Sequence, residues 1–425
     1  MWNVFASNKG SYKFATFIFI LIVLFGTIFT LNKNPIIFQT NSSISVAHAE
    51  STDEKQSKKE NEVEGELSDN IDKVLGEIDS TELDEFIVND FEIDFVSDGS
   101  FISMVKGILN NNYFSDYKSL FSIVISFVFK NIKQVILFFL SLFGIVFINQ
   151  IFDSFCENKY KDLKVIIKII FSLVIATQII VLLKEISNEI DSTILKSFNF
   201  SEKLFPILLG LILASGSSGT FSIYSTLSAY LIETGLYLFK FVLLPIVFSM
   251  MLLSIMSIAF EKNNFSKLIS LLKCIFKYII LVFFTIFGLF STINLFSSAT
   301  ADGINYKVTK FAIKYYIPVL GGYLSDGFDF VRTCSLLVKN SFGICGIITL
   351  FFIILKPVIV CITYILLFKI VSVLVALIGQ EKYANYFEEI SSTFSYYISI
   401  LVGVFLCFFV FIFLLIISVS TIWLY

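Results

Sequence analysis

Histidine occurs once in the 425 residues, at His48, and arginine once, at Arg332. Histidine is the commonest metal ligand and the usual general base near neutral pH, so a chain with none beyond position 48 is poorly equipped for zinc hydrolysis or triad chemistry. Cysteine is sparse. Cys156, Cys274, Cys334, Cys345, Cys361 and Cys407 show no C-x-x-C spacing and mostly lie in or beside apolar runs, where a thiol acts as a small hydrophobe. No P-loop and no G-x-G-x-x-G follows a strand pattern, so nothing points to ATP hydrolysis or to a cofactor. Charged side chains make up 15%, against roughly a quarter in soluble domains. No basic patch with interleaved aromatics occurs, which leaves nucleic-acid binding without support. Nothing here reads as an enzyme.

What is present is apolar. Hydrophobic residues make up 56% and the mean hydropathy is +0.85. Several runs reach the ~20 residues that cross a ~30 Å hydrocarbon core as helix. The 51 phenylalanines read as lipid-facing bulk rather than as a ligand box. The expected fold is an all-α polytopic membrane protein with about 6–8 transmembrane helices after an N-terminal signal.

Lys9 and Lys13 precede the apolar stretch Phe14 to Leu31, and Ala47-His48-Ala49 offers a small-x-small cleavage site. Residues 1–49 therefore read as a signal peptide or an uncleaved signal-anchor. Either places residues 50–112 outside the cytoplasm. Glu50 to Asp98 carries eighteen of the 34 acidic residues and only four lysines, so its first part is expected to be disordered. Ile71, Val74, Leu75, Ile78, Leu83, Phe86 and Ile87 then recur at near-helical spacing. They suggest short amphipathic helices for a partner, or a solvated spacer.

Residues 113–185 read as an interfacial helix, Tyr117 to Phe129, followed by spans at Val135–Phe152 and Val165–Leu183. Lys159, Lys161 and Lys164 between the spans, and Lys262, Lys267, Lys273 and Lys277 before a span at Tyr278–Ser298, mark the cytoplasmic side. The mixed-charge stretch 184–203 reads as an external connector. The final span is expected near Ser395–Val419.

Proline is scarce enough to be informative, with five in the chain. Pro206 and Pro318 are 112 residues apart, as are Pro245 and Pro357, and Gly210 meets Gly322 at the same offset. The pattern predicts an internal duplication, residues 186–298 and 303–425, with Gly/Pro-broken segments of the kind that line transporter cavities. Candidate conduit positions are Pro206, Gly210, Gly216, Gly219, Pro245, Pro318, Gly321, Gly322 and Pro357. Whether Pro245 and Pro357 form turns or kinks is open at this stage, as is whether the halves are inverted or parallel. Bulk at Gly322 is expected to impair function. Glu233, Lys240 and Lys369 are the candidate intramembrane charges.

Residues 299–346 carry a specific pattern: Ala301-Asp302-Gly303-Ile304, Ile317-Pro318-Val319-Leu320-Gly321, Ser335-Leu336-Leu337-Val338-Lys339-Asn340 and Gly343-Ile344-Cys345-Gly346. It resembles the stage III sporulation protein AE family of endospore-forming Firmicutes, and the likeness extends over about 115–419. The resemblance implies a subunit of the channel or secretion apparatus in the mother-cell membrane around the forespore. It also implies, as partners, other stage III membrane proteins, a cytosolic ATPase on the mother-cell side and ring-forming proteins. Asp302, Gly303, Arg332, Lys339 and Asn340 become candidates for a partner contact or conduit mouth. Helix capping is the plainer role for Asp302, and a surface ion pair with Asp326 or Asp329 the plainer role for Arg332. An autonomous secondary transporter and a structural anchor for the rings are the alternative functions.

Overall fold

The apolar runs fold into helices far longer than the runs themselves. The structure, a computed structural model, describes residues 71–76, 78–90, 100–109, 117–155, 161–260, 264–316 and 321–420. The signal and the first part of the acidic segment lie outside these residues. Among the described residues the regular structure is helical and contains no strand. After a short turn of helix at 71–76 come α1 (Thr81–Asp90), α2 (Phe101–Leu109), α3 (Tyr117–Phe155), α4 (Lys161–Ala214) and α5 (Ser218–Leu236). A π-helical segment, Tyr237–Leu243, leads into α6 (Leu244–Phe260). Then follow α7 (Asn264–Tyr316), α8 (Gly321–Leu377) and α9 (Glu381–Ser420). Among the described residues six helices, counting α5 to α6 as one, are long and apolar enough to cross a membrane. A helix meets that need because hydrocarbon cannot satisfy backbone N–H and C=O groups, and a helix satisfies them internally.

The expected connector at 184–203 is helix, and two other stretches extend the spans beside them. Tyr117–Phe129 continues into the first span as one 39-residue helix. The stretch 184–203 is the middle of α4, because Ile186, Ile190, Ile194 and Phe198 place a buried apolar stripe along one face. Residues 299–316 prolong α7. Tight turns replace the expected loops. α4 ends at Gly216 and α8 at Gly379, with φ of 78° and 91°, the left-handed conformation that glycine adopts without steric cost. The N–H of Ser217 bonds to Ile212 O at 3.2 Å and that of Gln380 to Val375 O at 3.2 Å, which closes both helix ends.

α9 is the most buried of the six spans and α7 the least. The hydroxyls of Ser172 and Tyr383 meet at 2.7 Å and those of Ser187 and Tyr397 at 2.6 Å, so α4 and α9 run in the same direction. Ser372 bonds to Ala384 O and Ser391 to Ile365 O, so α8 runs opposite to α9. Glycines set the closest approaches. A Cβ at Gly346 would overlap Leu204 Cδ2, and one at Gly403 would sit 2.9 Å from Phe239 Cε1.

α1 and α2 dock on the bundle itself. Phe86 and Phe101 pack against Phe200 of α4 at 5.5 and 6.3 Å, and Phe101 against Phe342 of α8 at 5.5 Å. Lys203 Nζ donates to Glu82 O at 3.2 Å. Asp84 joins the two short helices by accepting the N–H of Phe101 at 2.5 Å. The amphipathic pattern of this segment is thus spent on the chain's own helices.

Candidate functional site

α5 starts without a cap of its own. Ser217 stands at its N-cap position but makes no side-chain cap bond. The acceptor comes from α7. Asp302 accepts the N–H of Gly219 at 2.8 Å, the N–H of Thr220 at 3.1 Å and the Thr220 hydroxyl. It is 1% exposed. A carboxylate here satisfies orphan N–H donors and complements the positive end of the helix dipole. The approach requires glycine, since a Cβ on Gly219 would lie 2.8 Å from both Ala301 Cβ and Asp302 Oδ1. Phe328 of α8 closes over Gly216, where a Cβ would meet its ring at 3.0 Å.

One turn further along α7, Tyr306 donates its hydroxyl hydrogen to Asp329 of α8 at 2.6 Å. Lys310 Nζ donates to Asp329 Oδ2 at 2.5 Å and to the Tyr306 oxygen at 3.2 Å. The guanidinium of Arg332 lies on the Tyr306 ring, with Cζ 4.5 Å from the centroid. Arg332 is 3% exposed, and Asp302 and Asp329 both act on it through space. Neither accepts from it. Nε, Nη1 and Nη2 are all buried without a hydrogen-bond partner.

Other orphaned polar atoms line the same region. Ser325 Oγ and Asn340 Oδ1 are buried and unpartnered. They stand 7 residues before and 8 residues after Arg332, on one face of α8. Ser291 Oγ on α7 is orphaned too. Lys339, 1% exposed, reaches α9 instead and donates to Leu415 O at 3.0 Å and Ile416 O at 3.1 Å, carbonyls of its last helical turns. The result is a polar seam between α7 and α8, capped by α5. Among the described residues no group of His, Cys, Asp or Glu side chains is arranged to hold a metal.

The seam gathers Gly216, Gly219, Asp302 and Arg332, whereas Lys339 binds α9 and Asn340 Oδ1 is buried without a partner further along α8. Gly303 adjoins it but has nothing within 4 Å of a Cβ built on it. Pro206 and Pro357 lie inside continuous helices. Pro245 occupies the first turn of α6, just after the π segment. These three do not break the chain, because a membrane helix tolerates proline where neighbours or local π geometry absorb the lost N–H. Pro318 lies outside the described residues. Gly321 opens α8. Gly210 and Gly322 face open space. Glu233 and Lys369 are exposed, whereas Lys240, within the π segment, pairs with Asp191 of α4 at 3.3 Å.

Sequence reasoning missed Tyr306, Lys310, Thr220 and Asp191. The spacing of Asp302, Tyr306 and Lys310 at i, i+4 and i+8 was the available signal, visible once 299–316 is treated as helix.

Six membrane-length helices among the described residues, with a buried polar seam where α5, α7 and α8 meet, define a polytopic helical membrane protein. The sequence profile of the family described as Stage III sporulation protein AE matches residues 100–419, which include the whole seam. This chain belongs to the stage III sporulation protein AE family. The Stage III sporulation protein AE of Bacillus subtilis (strain 168) is 27% identical over 315 residues, covering 73% of this chain and 77% of that relative. No solved structure matches.

Proposed function

We propose that this sporulation membrane protein is a non-enzymatic transmembrane subunit of the channel or secretion apparatus that links mother cell and forespore. In this role it supports late forespore development. The observation that carries the reading is the family match over 100–419, centred on a seam of charges and glycines that a purely lipid-embedded bundle does not need. The partners are other stage III membrane proteins, a mother-cell ATPase and ring-forming proteins. The membrane is the mother-cell membrane around the forespore.

The helix ends support a topology. The helix ends at Phe155, Lys161, Phe260, Asn264, Leu377 and Glu381 fall at one end of the bundle, where Lys164, Lys267 and Lys273 also lie. That end suits the cytoplasm. The seam and the docked α1 and α2 then face outward, in line with an extracytoplasmic segment 50–112. The duplication of 186–298 and 303–425 is read as parallel. At an offset of 112, α5 to α6 falls on α8 and α7 on α9, each pair with the same direction along the bundle.

The Asp191–Lys240 pair in a π segment favours a second reading, an autonomous secondary transporter, because π segments recur at functional sites. Co-purification from sporulating cells together with flux in reconstituted vesicles separates the readings. Conductance that needs the ATPase and ring proteins supports the conduit. Transport by the purified chain alone supports the transporter, and no flux under either condition leaves a structural anchor.

A further inference from the structure

We propose that Arg332 is the core of a binding site for an oxyanion, a phosphate or carboxylate group, at the seam between α7 and α8. A guanidinium carries five N–H donors and no acceptor. Burying it with every donor unfilled is costly, since a charged donor loses its water without replacement. The nearby carboxylates do not remedy this. Asp302 is committed to the start of α5, and Asp329 to Tyr306 and Lys310. They balance the charge of Arg332 through space while leaving its hydrogen-bonding edge empty.

The vacant edge suits an anion. Both nearby carboxylates are engaged elsewhere, so no acceptor is left for the Arg332 fork. The guanidinium carbon lies 4.5 Å from the centre of the Tyr306 ring, a cation–π contact that uses none of the N–H donors. A planar fork of this kind matches two oxygens of a phosphate or carboxylate. Ser325, orphaned on the same face of α8, adds a hydroxyl donor within the same stripe. The nitrogens are occluded in this conformation, so binding requires local opening.

Arg332 is the only arginine in the chain, so labelling with 15N-arginine reports on this residue alone. In detergent at constant ionic strength, sodium phosphate is expected to move the Nε–H cross-peak saturably, and sodium chloride is not. A cross-peak that instead differs between phosphatidylglycerol and phosphatidylcholine nanodiscs assigns the oxyanion to a lipid headgroup. Either result upholds the site. Equal shifts with chloride and phosphate overturn it, as does a cross-peak indifferent to both salts and both lipids. As a second measure, phosphate or phosphatidylglycerol, whichever moves the cross-peak, is expected to raise the thermal midpoint of the full chain. Arg332→Lys, which keeps the charge but loses the fork, is expected to lose that increment. Retention of the full increment by Arg332→Lys also counts against the site.

Discussion

Asp302 of α7 caps α5 through the N–H of Gly219, 83 residues earlier in the chain, at 2.8 Å. This one contact ties the turn at Gly216, the start of α5 and the far end of α7 into a single joint. Gly219→Ala is therefore expected to destabilise the protein by about 1–3 kcal/mol through overpacking against Ala301 and Asp302. Asp302→Ala should cost a similar amount by leaving buried N–H groups unmet. Thermal unfolding in detergent measures both, and a wild-type midpoint for Gly219→Ala would show that the joint is looser than its geometry.

Gly346 and Gly322 sit on the same helix with opposite surroundings. A Cβ at Gly346 overlaps Leu204, while one at Gly322 meets nothing within 4 Å. Gly346→Val should lower stability by about 2 kcal/mol or more, and Gly322→Leu should leave it within about 0.5 kcal/mol. Any loss of sporulation in Gly322→Leu would therefore not come from packing within the chain. Spore yield and melting of both variants check the contrast.

Lys339 holds the end of α9 through Leu415 O and Ile416 O. Lys339→Met removes both bonds but also a buried charge, and these effects oppose each other. Global stability should change by less than about 1 kcal/mol, because the lost bonds and the relieved desolvation are of similar size. Hydrogen exchange at residues 416–420 should accelerate, since those amides then lie in a turn with unanchored carbonyls. Unchanged exchange would assign Lys339 no role at that helix end.

Asp191 and Lys240 form a half-buried pair across α4 and the π segment. A double-mutant cycle with Asp191→Asn and Lys240→Met should give a coupling of about 0.5–2 kcal/mol, with each single variant worse than the pair. If the π segment serves only packing, sporulation should follow stability in all three variants. Loss of sporulation by a stable double variant would support transport through this level.

Outside the spans, Asp79 accepts the backbone N–H of Thr81 at 3.1 Å and the Thr81 hydroxyl, and these bonds hold its carboxyl below the usual 3.8. A lowered carboxylate pKa stabilises the fold above the unfolded value and loses that contribution as pH falls through the folded value. The start of α1 should therefore keep its protection above pH 3.8 and lose it progressively below. Amide protection factors for residues 81–85, compared between wild type and Asp79→Asn, measure the change. Equal profiles for the two proteins would remove Asp79 from the account.

The amino-acid order alone determined that this chain belongs in a bilayer. Run length and the scarcity of charge fix that, since no soluble fold can hide so many 20-residue apolar segments. It also exposed the break at Ser215–Gly219, because glycine is the residue that reaches a left-handed turn, and it drew attention to Asp302 and Arg332 through a family pattern. Tertiary structure decided the rest. Polarity suggested a connector at 184–203, but Ile186, Ile190, Ile194 and Phe198 find a neighbouring helix to pack on, and packing outweighs local polarity. Capping was the plainer expectation for Asp302, but which helix it caps, 83 residues earlier, and a guanidinium left without acceptors at Arg332 exist only once α5, α7 and α8 share one place.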